Sequence, residues 1–508
     1  MKFVTERKFG KLLIAVCVMF LSFAAILSGA GAKTKDELVI AMRSDPKTID
    51  PQRTIDVVSN KSIQLMYESL LELDANLLIK PCLAEKWERL DDLTAIFYLK
   101  KGVKFHNGDE MTSEDVAFSL ERGIVSPQCK FEFDSIDKVE IVDKYTVKVI
   151  TKEPFGVLFD NIASTHGGII NKRAYLANGE DTITKAVGTG PYKLKDWLAG
   201  DRITFEAWED YWRGPVNVKK ITIKTIPEQT NRTIALETGE ADMSFDIGLQ
   251  DKDAILANPK LTLLEVESPS EWYLAFDQTN PKYQNLKLRQ AIACAVDNSI
   301  FVDTVFRGSA VAATSPLPRA CPDHIDVDPY AYDPERAKAL LKEAGYPDGL
   351  NIELWVNDDQ TRIDICVIIQ DELKAIGINA EIKVFEWGAY ISRTAQPNKE
   401  LYFLSWNTTG DGDAHMYPLF HSSQHGSSGN RSYYNNPEVD KLIDKGRHSV
   451  NPEERTGIYH ELQKILGEDI PHYTVVYPML SLAMTKKVHD LIFKKNGYVD
   501  LKKTWVER

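Results

Sequence analysis

After the small-residue stretch Ser28-Gly29-Ala30-Gly31-Ala32 the chain runs on for roughly 475 residues, with no Pro-, Ser- or Gly-rich linker and no low-complexity tract in its middle. A single hydrophobic core stops growing beyond about 250–300 residues, so two or three domains are required. Domains without linkers are lobes joined by short strands, with the chain passing between them more than once. No internal repeat is present.

The N-terminus narrows the compartment. Lys2, Arg7, Lys8 and Lys11 form a basic head, and residues 12–27 are uncharged. With Ala30-Gly31-Ala32 after it, this order predicts a secretory signal cleaved after residue 32. A retained helix fits less well, because the apolar run falls short of the roughly 20 residues a bilayer needs. Cys17 lies inside that run, which argues against a lipid anchor. The expected product is a free periplasmic protein. Its net charge of −13 becomes more negative once four basic residues and Glu6 leave with the signal. That balance argues against nucleic acid, which demands a basic face. Cys82, Cys129, Cys294, Cys321 and Cys366 remain, widely spaced and without a CxxC pair. The compartment permits one or two disulfides of undetermined connectivity, with at least one thiol unpaired within the chain.

Local patterns are those of an α/β protein. Residues 38–42, 95–99, 103–105, 139–142, 145–150, 203–207 and 220–226 read as strands. Residues 60–71 read as a helix, with Ile63, Met66, Tyr67 and Leu70 on one face. Thr112-Ser113-Glu114-Asp115 opens another through a capping-box variant. Asp333-Pro334 starts a helix that Gly345 ends. Strand 352–356, helix 363–376 and strand 379–384 form a strand–helix–strand unit, which implies a lobe built on a mixed sheet.

A series of motifs then falls in register with one family. Pro81-Cys82-Leu83-Ala84-Glu85-Lys86-Trp87, Gly102-Val103-Lys104-Phe105-His106-Asn107-Gly108 and Gly188-Thr189-Gly190-Pro191-Tyr192 come first. Tyr211-Trp212-Arg213-Gly214, Gly239-Glu240-Ala241-Asp242, Leu288-Arg289-Gln290-Ala291-Ile292 and Asn436-Pro437-Glu438-Val439-Asp440 follow. Over nearly its whole mature length the chain resembles the family 5 extracellular solute-binding proteins. These are the dipeptide, oligopeptide, nickel and glutathione binders of ABC importers, and the glutathione and dipeptide members look most similar. The resemblance implies a two-lobed periplasmic-binding-protein fold, class II in type, with three domains and a cleft between lobes. Residues 33–71, 187–266 and 481–508 would form the main domain of lobe 1, residues 72–186 an inserted small domain, and residues 267–480 lobe 2. Gly188–Tyr192 is not a phosphate loop, since no Gly-Lys-Ser/Thr follows; it reads as a turn. Trp87 and Phe105 read as core.

A cleft that grips a free peptide needs a carboxylate for the ammonium and an Arg or Lys for the carboxylate. The resemblance places the anchor loop at Trp406-Asn407-Thr408-Thr409-Gly410-Asp411-Gly412-Asp413. Dipeptide-type relatives carry the ammonium-gripping aspartate three residues after this tryptophan, where Thr409 stands here. The Thr-Gly-acid-x-Asp run is similar to glutathione-type members, making Asp413, then Asp411, the candidates. The alternative is that both are turn residues in a Gly-rich loop. Arg362 and Arg393 are candidates for the carboxylate end. Ser59 and Asn60 belong to a segment resembling cleft-lining stretches, or else cap the helix after them. Trp272, Tyr273 and Trp387 are candidate aromatic walls, against the alternative of core. His415, His421 and His425 cluster near these acids, but neither the oxygen pattern of a calcium loop nor a defended zinc set is present. They read as cleft-rim histidines, and no metal or cofactor is expected.

The function this implies is capture of a small peptide-like solute by a monomer that delivers it to an ABC permease in the inner membrane. Two alternatives stand beside it: a sensor presenting its loaded form to a membrane receptor, and a binder of a non-peptide solute such as a nickel chelate or haem. Gly-x-Ser-x-Gly, His-Glu-x-x-His and Cys/His signatures are absent from the sequence, so an enzyme is not expected.

Overall fold

The computed structural model describes residues 34–178, 186–408, 410–426 and 429–508; the expected signal peptide lies outside them. The strand–helix–strand unit forms as Leu350–Asn357, Gln360–Ala375 and Ile378–Phe385, its two strands parallel. Asp359 caps the helix by accepting the backbone N–H of Arg362.

These strands belong to a hydrogen-bonded path that crosses the whole molecule. From Ile378–Phe385 it passes through Leu350–Asn357, Leu401–Asn407 and Ser270–Ala275 to the 14-residue strand His472–Thr485. It continues through Met243–Phe245, Glu37–Met42, Lys220–Thr225 and Arg202–Ala207 to Tyr192–Leu198. The long strand is shared between two sets of partners. Its start, His472 to Val476, pairs with Ser270–Ala275, and its later part, Met479 to Thr485, pairs with Leu261–Glu267. Segments 267–270 and 476–479 thus run side by side between these two stretches of pairing, tied where Ser268 Oγ donates to the Pro478 carbonyl at 2.6 Å.

The cores sort accordingly. Leu274, Leu288, Leu354, Ile369 and Phe403 fill one side of the second lobe, and Tyr390, Tyr402 and Tyr459 belong to a second cluster there. Leu38, Tyr192, Phe205, Ile221 and Val506 fill the first lobe. A separate core around Phe97, Phe105, Leu120 and Val147 packs with the four-stranded sheet Ala84–Arg89, Thr94–Leu99, Thr146–Thr151 and Ile136–Asp143. The capping box at Thr112 and Asp115 is formed. Gly188 and Gly190 allow two backbones to touch: a Cβ on either would sit 2.0 or 2.7 Å from the Met66 backbone.

Three local expectations are corrected. The helix predicted over 60–71 is Val57–Ile63, and Asp56 is its cap, accepting the Ser59 N–H; Ser59 and Asn60 lie inside it. It ends early because Gly190 and Tyr192 donate to the carbonyls of Met66 and Leu65, which a longer helix would need. Residues 103–105 form no strand, only an isolated bridge between Lys104 and Glu110, because Phe105 and Gly108 close a tight turn. Cys82, Cys129, Cys294, Cys321 and Cys366 are all free and buried, so none of the disulfides the compartment permits is formed among them. No helix among the described residues is long and apolar enough to cross a membrane.

Candidate ligand-binding cleft

A cavity of about 1480 Å³ lies between the lobes, with Ser268, Ser270, Pro478 and Met479 among the residues that line it. It exceeds the roughly 300–1,000 Å³ usual for small-molecule sites. Of the expected residues, Trp406, Asp411, Asp413, Arg362, Asn60 and Trp272 line it. Thr409 lies outside the described residues.

On the lobe 2 wall, Leu401–Asn407 ends at the cleft and delivers Trp406, whose indole N–H donates to the Ala414 carbonyl at 2.9 Å. That bond folds the anchor loop back on itself. Asp411 Oδ1 accepts the Asp413 N–H at 2.7 Å, and its Oδ2 pairs with Arg455 at 2.9 Å. Asp413 Oδ2 pairs with Arg447, also at 2.9 Å. The arginines come from the helices Pro437–His448 and Pro452–Asp469, so the protein itself supplies counter-charge to both acids. Burial nonetheless pushes the Asp413 carboxyl up to about 6, against the pull of Arg447 and with repulsion from Asp411.

Arg362, in the first turn of the helix Gln360–Ala375, is held differently. Its Nη1 donates to Asn357 Oδ1 at 3.0 Å and its Nη2 to Ser405 Oγ at 2.7 Å. The guanidinium carbon lies 5.1 Å from the Trp272 ring centre and 5.7 Å from that of Trp387. Among the described residues no carboxylate lies within ion-pair distance of it. The positive end of the helix dipole adds to its attraction for an anion.

Lobe 1 presents a contrasting wall. Ile55, Val57 and Phe131 line the cavity while 57, 53 and 61% exposed. Leu78 and Phe159 extend this surface. Between them sits a polar recess. His166 Nδ1 meets Glu132 Oε1 at 2.8 Å, and Asn60 Nδ2 lies 3.4 Å from His166 Nε2. Burial works against the charged imidazole of His166, but Glu132 outweighs it and raises the pKa. The lobes touch at one end of the cleft, where Gly156 N–H donates to the Arg447 carbonyl at 2.9 Å and His448 lies 3.4 Å from Glu153.

The other candidates stand away from the cavity surface. Ser59 is buried, its hydroxyl donating to Asp56 and accepting from the Lys47 N–H, both at 2.8 Å. Tyr273 points opposite to Trp272, as strand alternation demands, and stacks on His472 at 4.2 Å. Arg393 is exposed, over the ring of Phe385. Trp387 reaches the site only through Arg362. His415 is not at the rim but fully buried beside Thr408, and burial pushes its imidazole down to about 4. No group of His, Cys, Asp or Glu among the described residues is arranged to hold a metal. Arg447, Arg455, Asp160, Asp323 and Phe131 also line the cavity and were not singled out from the sequence, where each looks like an ordinary surface residue.

Known proteins share this architecture. The glutathione-binding protein GsiB of Salmonella choleraesuis is 30% identical over 482 residues, covering 92% of this chain and 94% of its own. The structure of HbpA2 from Haemophilus parasuis superposes with a TM-score of 0.85 at 28% identity, covering 93% of this chain and all of that one. DppA from Helicobacter pylori, solved with the peptide STSA, gives 0.76 at 26% identity over 94% of this chain and 99% of that one. Residues 79–427 match the model of the bacterial extracellular solute-binding proteins, family 5. The chain belongs to that family, the solute-capturing components of ABC importers.

Proposed function

We propose that this protein captures a small peptide-like solute in the periplasm and hands it, as a monomer freed of its signal peptide, to an inner-membrane permease without chemically altering it. Lobe 1 is taken as residues 33–71, 187–266 and 481–508 with 72–186 inserted, and lobe 2 as 267–480. The observation that carries this reading is Arg362: a cation at the cavity wall, 5.1 Å from the Trp272 ring centre and 5.7 Å from that of Trp387, with no carboxylate partner among the described residues. Such a group fits the carboxylate of a peptide. The ammonium end then lies toward the anchor loop with Asp411 and Asp413. The relatives named for glutathione and solved with a peptide support the same class. Calorimetric titration of the mature protein with glutathione and with di- to tetrapeptides should give saturable heat. Silence with every peptide, alongside a thermal shift with a nickel–histidine chelate or haem, would overturn the peptide reading.

A further inference from the structure

At the end of the cleft where the lobes touch, four carboxylates line the cavity: Asp160 from the small domain and Asp323, Asp411 and Asp413 from lobe 2. Their compensation is uneven. Asp411 and Asp413 have Arg455 and Arg447. Asp323 has the hydroxyl of Thr456 at 2.7 Å. The side chain of Asp160 has no ion-pair or hydrogen-bond partner on another described residue. Arg89 is the remaining guanidinium nearby, and its Nη2 is held by the Phe155 carbonyl at 2.7 Å. Glu153 and His448 meet at the rim, and His460 acts on Asp323 only through space. Even with Arg89 counted, acids outnumber the arginines here.

A second observation is independent of that balance. Asp413 lines the cavity yet is 6% exposed, and its Oδ1, itself buried, has no donor among the described residues. A buried carboxylate oxygen without a donor destabilises the protein until something supplies one.

We propose that Asp160 and Asp323, on opposite lobes, take the cationic end of the ligand, an ammonium or guanidinium, beside Asp411 and Asp413, and so couple its charge to closure of the cleft. The inference rests on the peptide-like reading and adds the residues that provide negative charge where the anchor-loop acids are already matched by arginines. Without a cation, burial first and repulsion from Asp411 second push the Asp160 carboxyl up to about 7. A bound cation favours the charged carboxylate and so offsets both effects, and binding near neutral pH releases protons.

The test uses the mature protein, its Asp160→Asn and Asp323→Asn variants, and trialanine with a free or an acetylated amine as probe. In calorimetry at pH 8 the free amine should bind the parent about tenfold more tightly than the acetylated form. Each substitution should weaken the free amine by about tenfold and move the acetylated form by no more than about twofold. Equal losses for both forms, or none, would overturn the proposal. Melting temperature provides a readout that needs no peptide. Ethylammonium chloride should raise the parent's melting temperature above that in sodium chloride of equal ionic strength, and should not do so for Asp160→Asn. Should trialanine bind in neither form, the peptide reading falls, and the ethylammonium difference alone decides this one: present, the cation site stands; absent, it is wrong.

Discussion

Asp411 and Asp413 meet the cavity with arginines already on them, whereas Ile55, Val57 and Phe131 on the opposite wall meet it uncovered. The first wall is ordered before any ligand arrives, since its charges hold one another in place. The second has no partner within the protein, and only a ligand can remove it from water. On the proposed reading, orientation is then set by lobe 2 and affinity for bulk by lobe 1. That division can be broken or sharpened by four measurements.

The largest effect belongs to the charged wall. Arg455 and Asp411 have side chains only 12 and 10% exposed, so theirs is a buried pair. Arg455→Ala leaves Asp411 uncompensated beside Asp160 and Asp413, and should lower stability by about 3–5 kcal/mol in urea unfolding. A loss below about 1 kcal/mol would mean that solvent screens this pair, and that lobe 2 is no more preordered than lobe 1.

The lobes share one weakness, which separates fold stability from the site. Burial pushes His106 in the small domain and His415 in lobe 2 each down to about 4. The unfolded chain takes up a proton near pH 6.5 that the folded chain refuses until about pH 4. Stability contributed by neutral burial is thus complete above pH 6.5 and is lost as pH falls toward 4, by about 2–3 kcal/mol for each histidine. His415→Asn should flatten the acid limb of the stability profile, whatever it does at pH 7, and His106→Gln should do the same independently. An unchanged slope in either variant would place that imidazole in contact with solvent.

Arg362 tests the orienting role directly. Arg362→Ala should weaken a peptide with a free carboxylate by about 2 kcal/mol, roughly 30-fold, and affect its C-terminal amide far less. Arg362→Lys should recover only part of the loss, because an ammonium keeps the charge but cannot offer a carboxylate the planar two-pronged donor set of a guanidinium. Equal losses for acid and amide would make Arg362 a packing residue.

The sequence carried what depends on local pattern and missed what depends on distant neighbours. The strand–helix–strand unit was legible because local pattern alone sets residues 352–356, 363–376 and 379–384 apart, and they form as Leu350–Asn357, Gln360–Ala375 and Ile378–Phe385. The helix over 60–71 was misjudged because burial of Met66, Tyr67 and Leu70 mimics helical spacing, while the carbonyls that stop it are taken by Gly190 and Tyr192. Trp406, Asp411 and Asp413 could be placed at the cleft from their loop. Their arginines could not, since Arg447 and Arg455 lie over thirty residues downstream on amphipathic helices where a basic residue is unremarkable. Asp160 and Phe131 are harder still: the meaning of each comes from the lobe across the cavity.

The smallest effect probes the uncovered wall. Phe131 is mostly exposed, so Phe131→Ala should change unfolding stability by less than about 0.5 kcal/mol. If lobe 1 supplies affinity for bulk, the same substitution should weaken a ligand with a large apolar side chain by about 1 kcal/mol, at about 25 cal/mol for each square ångström kept in water. A glycine-rich peptide of equal length should be nearly indifferent to it. The difference between those two ligands, read by calorimetry on one variant, isolates the apolar term from any change in the lobe itself. Identical affinities for both in parent and variant would show that the ligand leaves this wall wet, and that lobe 2 alone selects what is bound.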